Sequence, residues 1–204
     1  VVFLFQPAEE LPPGGAKSMV EEGGLDGVDA VFGLHLWQPL ATGSIGLVKG
    51  PMMAQADNFS IIVRGKGGHG SAPHLTVDPI LVASQIVVNA QSVVSRSIDP
   101  LKPAVVSFGT IKGGTAYNII PGEVSLTGTV RSFESSIQSL AERRLKEIAE
   151  ETCQAFGALA EFKYEKGYPP LVNHGAMVDF VIDVARKTLG EDSVKPIEPI
   201  MGGE

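Results

Sequence analysis

The chain has 204 residues and a formal net charge of −7, with 16 Lys and Arg against 23 Asp and Glu. That balance excludes a general binder of nucleic acid or anionic membrane, because there is no basic excess to displace counterions. Apolar residues make up 44% and charged residues 19%, a globular composition able to bury a core. The single cysteine, Cys153, excludes an intrachain disulfide and suits a reducing, cytoplasmic setting. No apolar run approaches the ~20 residues of a membrane span.

The first 50 residues read as part of an α/β domain. Residues 1–5, Val-Val-Phe-Leu-Phe, have the continuous apolar character of a strand buried on both faces. Gln6-Pro7-Ala8-Glu9-Glu10-Leu11-Pro12-Pro13-Gly14-Gly15 is a loop, and residues 16–22 a short helix stopped by Gly23-Gly24. A second buried strand is expected over residues 30–36. The chain opens inside the first strand-like run and closes on the turn-like Met201-Gly202-Gly203-Glu204, so both ends are expected to be internal to a longer protein.

Residues 51–165 change pattern. Alternation predicts strands over 58–64, 104–111, 123–131 and 158–164. A helix is predicted over 78–95, with Ile80, Ala83, Ile86, Val87, Ala90 and Val94 as its apolar stripe. A second helix starts at Ser135-Ser136-Ile137-Gln138, read as a capping box, and carries Ile137, Ala141, Leu145, Ile148, Thr152 and Phe156 on one side. The order β-α-β-β-α-β is that of a ferredoxin-like unit. Residues 166–204 return to the first style, with a loop at 168–173 and a helix at 176–189 ended by Gly190. The expected architecture is a ferredoxin-like domain inserted between two pieces of an α/β domain, 1–50 and 166–204.

Several residues are candidates for chemistry. Glu9 and Glu10 are adjacent carboxylates just past a predicted strand end, where ligands of open α/β sheets bind. Adjacent side chains diverge, so one could hold a metal while the other moves a water proton; a solvated acidic loop is the competing reading. His35 ends the second predicted strand, and imidazole with carboxylate suits zinc, manganese or cobalt; a structural histidine is the competing reading. Two ligands are too few for a catalytic zinc, so further ligands would lie outside this chain.

Gly65-Lys66-Gly67-Gly68-His69-Gly70 formally matches G-x-G-x-x-G, but its glycines do not open a helix, and residues 89–91 hold no acid where a ribose partner belongs. It reads instead as a flexible loop carrying His69. Asn118 and Arg131 bracket a hairpin-like stretch, and a guanidinium at a strand end is able to clamp a carboxylate; an ordinary surface residue is the competing reading for each. Cys153 falls on a buried helical stripe as a small core residue, and His74 and His174 read as structural.

Taken in order, Gln6-Pro7-Ala8-Glu9-Glu10, Gly33-Leu34-His35, Gly67-Gly68-His69-Gly70-Ser71-Ala72-Pro73-His74, Asn118-Ile119-Ile120-Pro121 with Arg131, and Met201-Gly202-Gly203-Glu204 resemble one family. It is the aminoacylase/carboxypeptidase family of dinuclear-metal amidohydrolases, and the branch is that of hippurate hydrolase and N-acyl-L-amino acid amidohydrolase. The resemblance implies a partial zinc-exopeptidase-like α/β catalytic domain with a ferredoxin-like lid that also dimerises. It implies hydrolysis of the amide bond of N-acyl amino acids, with water activated by two divalent ions (Zn, Mn or Co) and Glu9 as general base. Glu10 and His35 would be metal ligands, His69 would stabilise the oxyanion, and Asn118, Arg131, Gly202 and Gly203 would bind substrate. The family's upstream Cys-x-His motif and the histidine after its Gly-Gly-Glu turn are absent, so the chain is expected to be inactive alone. A metallocarboxypeptidase acting on dipeptide-like substrates and a non-catalytic dimerisation module are the alternatives.

Overall fold

The structure, a computed structural model, describes residues 1–11 and 14–203. Pro12, Pro13 and Glu204, which belong to two of the motifs above, lie outside the described residues. In chain order the first part holds a helix α1 (Ala16–Glu21) and two short strands, β1 (Ile45–Leu47) and β2 (Gly50–Met53). A module follows, with β3 (Gln55–Arg64), β4 (Gly68–His69), α2 (Pro79–Ser92), β5 (Ala104–Gly113), β6 (Ile119–Ile120), β7 (Glu123–Ser132), α3 (Ser135–Ala155) and β8 (Leu159–Glu165). The last part holds β9 (Leu171–Asn173), α4 (Gly175–Leu189) and β10 (Val194–Pro196).

Period-two alternation builds the module's sheet. In β3 the residues Phe59, Ile61 and Val63 are buried, Ser60 and Ile62 between them are half-buried, and Asn58 and Arg64 on either side are exposed. In β7, Val124, Leu126 and Val130 take the inner face, and Ser125, Thr127 and Thr129 the other. The four strands pair antiparallel in the order β5-β7-β3-β8, so consecutive β-α-β-β-α-β elements interleave. Helices α2 and α3 close one face through Val82, Ile86, Ala90, Ala141, Leu145 and Cys153, forming one core with the inward strand residues. Asp78 accepts from Ile80 N at 2.9 Å and Pro79 occupies the first turn of α2, two start signals that act together.

One glycine in the sheet is required by packing. A methyl group on Gly128 would lie 2.2 Å from Phe59 Cζ and 2.3 Å from the Ser107 carbonyl oxygen. Its absence lets Phe59 lie flat across β7 and meet Phe108 edge-on, ring centroids 5.1 Å apart.

The flanking parts pair with each other beside the start of β3. β1 and β10 pair in parallel and β2 pairs antiparallel with β9. The segment ending at Gly203 crosses beside β2, with Ile200 N donating to Met52 O and Ala54 N to Gly202 O, both within 2.9 Å. The predicted loop at 168–173 is thus in part a strand, β9, which its prolines delay until Leu171.

Four expectations fail, each for a physical reason. Residues 1–5 and 30–36 are not strands; Phe5 is 86% exposed, Leu34 87% and Leu36 91%. A strand requires a neighbour for its N–H and C=O groups, and among the described residues neither run has one. The apolar face of α2 is rotated by about one position, burying Val82 and Val93 and leaving Ile80 and Val94 exposed. In α3, Phe156 falls past the helix end and is 43% exposed. The capping box does not form, because Gln138 turns inward to a buried carboxylate instead of back to the helix start.

Candidate functional site

Glu9 and Glu10 lie exposed in a turn after residues 1–5, closed by Leu11 N donating to Ala8 O. Ala8 adopts the left-handed conformation at φ 52°, unusual for a residue with a Cβ. The turn is backed by Gly15, where a methyl group would lie 2.5 Å from Pro7 Cγ. Gly15 therefore lets the chain fold over Pro7 and hold the two carboxylates on the outside of the turn.

His35 is exposed, and its Nδ1 lies 2.7 Å from Leu36 O. A carbonyl oxygen only accepts, so Nδ1 carries a proton, and in the neutral ring Nε2 keeps a free lone pair. That is the tautomer a metal-binding imidazole needs, with its second nitrogen held by a backbone carbonyl. Trp37 steadies the ring edge-on, centroids 5.7 Å apart. Among the described residues, however, no group of three His, Cys, Asp or Glu is placed to hold a metal. Glu10 and His35 fit a divalent metal in donor type, and their number falls short of a complete shell.

His69 and Asn118 are brought together. His69 lies on β4, which pairs with β6 through His69 opposite Ile119, and Gly70 N donates to Asn118 O at 2.8 Å. The glycines of this loop make the approach possible: a methyl on Gly67 would meet Ile120 O at 2.8 Å, and one on Gly70 would meet Asn118 O at 3.0 Å. A three-residue 3-10 turn, Pro73–Leu75, separates the loop from α2, so the glycines do not open a helix and the dinucleotide pattern lacks its structural context. The His69 ring accepts from Ser71 N at 3.2 Å on Nδ1, with Ser71 Oγ 2.8 Å from the same nitrogen. In the neutral ring the proton is therefore on Nε2, a donor turned away from its own loop.

Arg131 and Gly203 form a second meeting point. Arg131 lies on β7, flanked by Ala56 of β3 and Val105 of β5. Its Nε donates to Thr129 Oγ1 at 3.1 Å. A methyl on Gly203 would lie 3.2 Å from Arg131 Nη1 and 2.8 Å from Ala56 Cβ, so the turn at Gly202-Gly203 passes directly over the guanidinium. Among the described residues, no carboxylate forms an ion pair with Arg131.

A buried carboxylate was not among the sequence candidates. Asp57 is wholly buried and accepts from Gln138 Nε2 at 2.9 and 3.0 Å, Tyr164 Oη at 2.7 Å and Gly167 N at 2.9 Å. It ties β3 to α3, to β8 and to the segment leaving the module. Burial and the Asp57 carboxylate push the Tyr164 phenol far above its ordinary range, so it stays a donor. The signal available in the sequence is an acid at an inward position of β3, in register with Phe59, Ile61 and Val63.

The whole chain, residues 1–204, matches the model of the peptidase family M20/M25/M40, and the protein belongs to that family. It is 49% identical over 172 residues to an N-acyl-L-amino acid amidohydrolase of Geobacillus stearothermophilus, covering 84% of this chain and 46% of that protein. It is 42% identical over 204 residues to thermostable carboxypeptidase 1 of Saccharolobus solfataricus, covering 99% of this chain and 51% of that one. Among solved structures, the YxeP protein of Bacillus subtilis, described as a dinuclear metal binding peptidase, superposes with a TM-score of 0.77 at 34% identity. That superposition covers 98% of this chain and 49% of YxeP. The chain thus spans about half the length of the curated relatives it matches.

Proposed function

We propose that the complete protein is a metal-dependent amidohydrolase that cleaves the amide bond of N-acyl amino acids. The observation that carries this reading is the Arg131–Gly203 contact: a guanidinium without an ion-pair partner among the described residues lies under a glycine turn. A substrate carboxylate is the group such a cation recognises best, through paired N–H donors. The Geobacillus relative supports the acyl amino acid as substrate class.

The roles follow from the residues. Arg131 binds the carboxylate of the amino acid half, while Gly202 and Gly203 shape the wall above it and Asn118 binds polar groups of the substrate. His69, protonated on Nε2 by the arrangement at Ser71, donates to the oxyanion that forms on the attacked carbonyl. Glu9 takes the proton of the attacking water and returns it to the leaving nitrogen. Glu10 and His35 each offer one donor to a divalent ion (Zn, Mn or Co), and the remaining ligands come from the part of the polypeptide outside this chain. Such ions, when bound, lower the pKa of a water and polarise the carbonyl.

Residues 51–165 are read as a ferredoxin-like lid and dimerisation domain, with 1–50 and 166–204 as pieces of the α/β catalytic domain. The antiparallel β-α-β-β-α-β order supports the first part of that reading. The protein is assigned to the cytoplasm, in keeping with its lone buried thiol. Hydrolysis is a property of the complete polypeptide, and residues 1–204 alone are expected to be inactive.

The resemblance to a carboxypeptidase favours a second reading, cleavage of dipeptide-like substrates. Steady-state kinetics of the full-length protein on N-acetyl and N-benzoyl amino acids, dipeptides, and N-acyl amino acid amides separates the two. The proposal expects acyl amino acids to have the highest kcat/KM and amides, lacking the carboxylate, the lowest. Faster cleavage of dipeptides would establish the second reading, and no cleavage of any amide would overturn both.

A further inference from the structure

Arg131 carries five N–H donors and one positive charge at the end of a long side chain, and such a side chain recognises a carboxylate best when its fork is held in one orientation. The structure supplies a specific holder. Thr129 lies two residues before Arg131 on β7, so both side chains leave the same face of the sheet, the one not covered by α2 and α3. The Thr129 hydroxyl donates to Asp57 O at 2.7 Å and accepts from Arg131 Nε at 3.1 Å.

The direction of each bond is fixed by chemistry. The Asp57 carbonyl only accepts, so the single hydroxyl proton of Thr129 is committed to it. What remains on Thr129 Oγ1 is lone-pair capacity, which an arginine Nε–H can use. That bond occupies Nε and leaves the two Nη groups to face outward, where Gly203 crosses. The anchor itself is rigid. The carboxylate of Asp57 is wholly buried and gripped by Gln138, Tyr164 and Gly167, so the carbonyl that holds Thr129 belongs to a fixed point of β3.

We infer that Thr129 is a positioning residue for Arg131, aiming the guanidinium at the substrate carboxylate from the buried Asp57 anchor. This rests on the reading of Arg131 as the carboxylate clamp. Thr129 touches no substrate; it acts by restricting where Arg131 points.

The test is kinetic, on the full-length protein with an N-acyl amino acid substrate that it cleaves. Thr129→Val keeps the shape of the side chain and removes the hydroxyl; Thr129→Ala removes it too, in case the valine variant folds poorly. Either is expected to raise KM about tenfold while kcat falls less than about twofold. Thr129→Ser, which keeps the hydroxyl, is expected to restore a KM within about twofold of the parent. In an Arg131→Ala background, Thr129→Val is expected to add nothing, because its effect passes through the missing guanidinium. If Arg131→Ala raises KM and Thr129→Val does not, the positioning role is wrong while the clamp stands. If Thr129→Val raises KM by the same factor with and without Arg131, Thr129 is a structural residue and the inference is overturned. If Arg131→Ala itself leaves KM unchanged, the clamp reading and the inference fall together.

Discussion

Gly203 lies against the guanidinium of Arg131, so close that a methyl group on it would stand 3.2 Å from Nη1 and 2.8 Å from Ala56 Cβ. Residues 72 positions apart in sequence thereby share one wall of the candidate site. A side chain at 203 has to displace either the arginine or the strand beneath it. Gly203→Ala in the full-length protein is expected to raise KM for an N-acyl amino acid about tenfold with a smaller change in kcat, read from steady-state rates. An unchanged KM would show that the turn does not border the bound substrate.

His69 is held by its own loop in the tautomer that donates from Nε2. His69→Ala is expected to lower kcat by about 10²–10³-fold, the usual effect of removing one oxyanion donor. Because His69 is exposed, its thermal midpoint should stay that of the parent. A loss carried by KM alone would instead assign His69 to substrate binding.

Asp57 predicts a stability effect rather than a catalytic one. Asp57→Ala removes the acceptor shared by Gln138, which is buried, Tyr164, which is half-buried, and Gly167, at about 1–3 kcal/mol for each donor left buried without a partner. Urea unfolding should show a fall of several kcal/mol with an unchanged slope. Tyr164→Phe removes one bond and is expected to cost about 1 kcal/mol.

Cys153 gives a prediction in pH. Burial pushes its thiol up to about 11 from an ordinary value of 9.0, and it is 1% exposed. The folded pKa is the higher one, so the neutral thiol's contribution to stability is complete below about 9 and is lost as pH rises toward about 11. At pH 8 a thiol reagent should label the native protein far more slowly than the protein in urea. Equal rates would place Cys153 at the surface.

The elements whose partners lie within the chain are those the sequence describes best. The Asp78-Pro79 helix start and the Gly190 stop depend on neighbours a few residues away, the alternation in β3 and β7 is met by the two strands pairing with each other, and all of these form close to where expected. Residues 1–5 and 30–36 depend on partners that the described residues do not contain, and an apolar run alone does not make a strand. Gln138 illustrates the reverse: a local capping pattern yields to a distant carboxylate, because leaving the buried Asp57 short of a donor to each oxygen costs more than an uncapped helix start. The site follows the same division. Glu9, His35, His69 and Arg131 are visible as residue types in motifs, whereas Thr129 and Asp57 are ordinary in sequence and acquire meaning only when β3 and β7 pair.

On the proposed mechanism, Glu9 moves the proton in a metal-dependent amide hydrolysis. The most direct test is amino acid release from an N-acyl amino acid by the full-length protein, comparing the parent, Glu9→Gln, and the parent after chelation and return of Zn, Mn or Co. If the mechanism holds, Glu9→Gln lowers kcat by about 10²–10⁴-fold with folding retained, and chelation abolishes a rate which metal restores. Full activity in Glu9→Gln, or a rate indifferent to chelation, would contradict it.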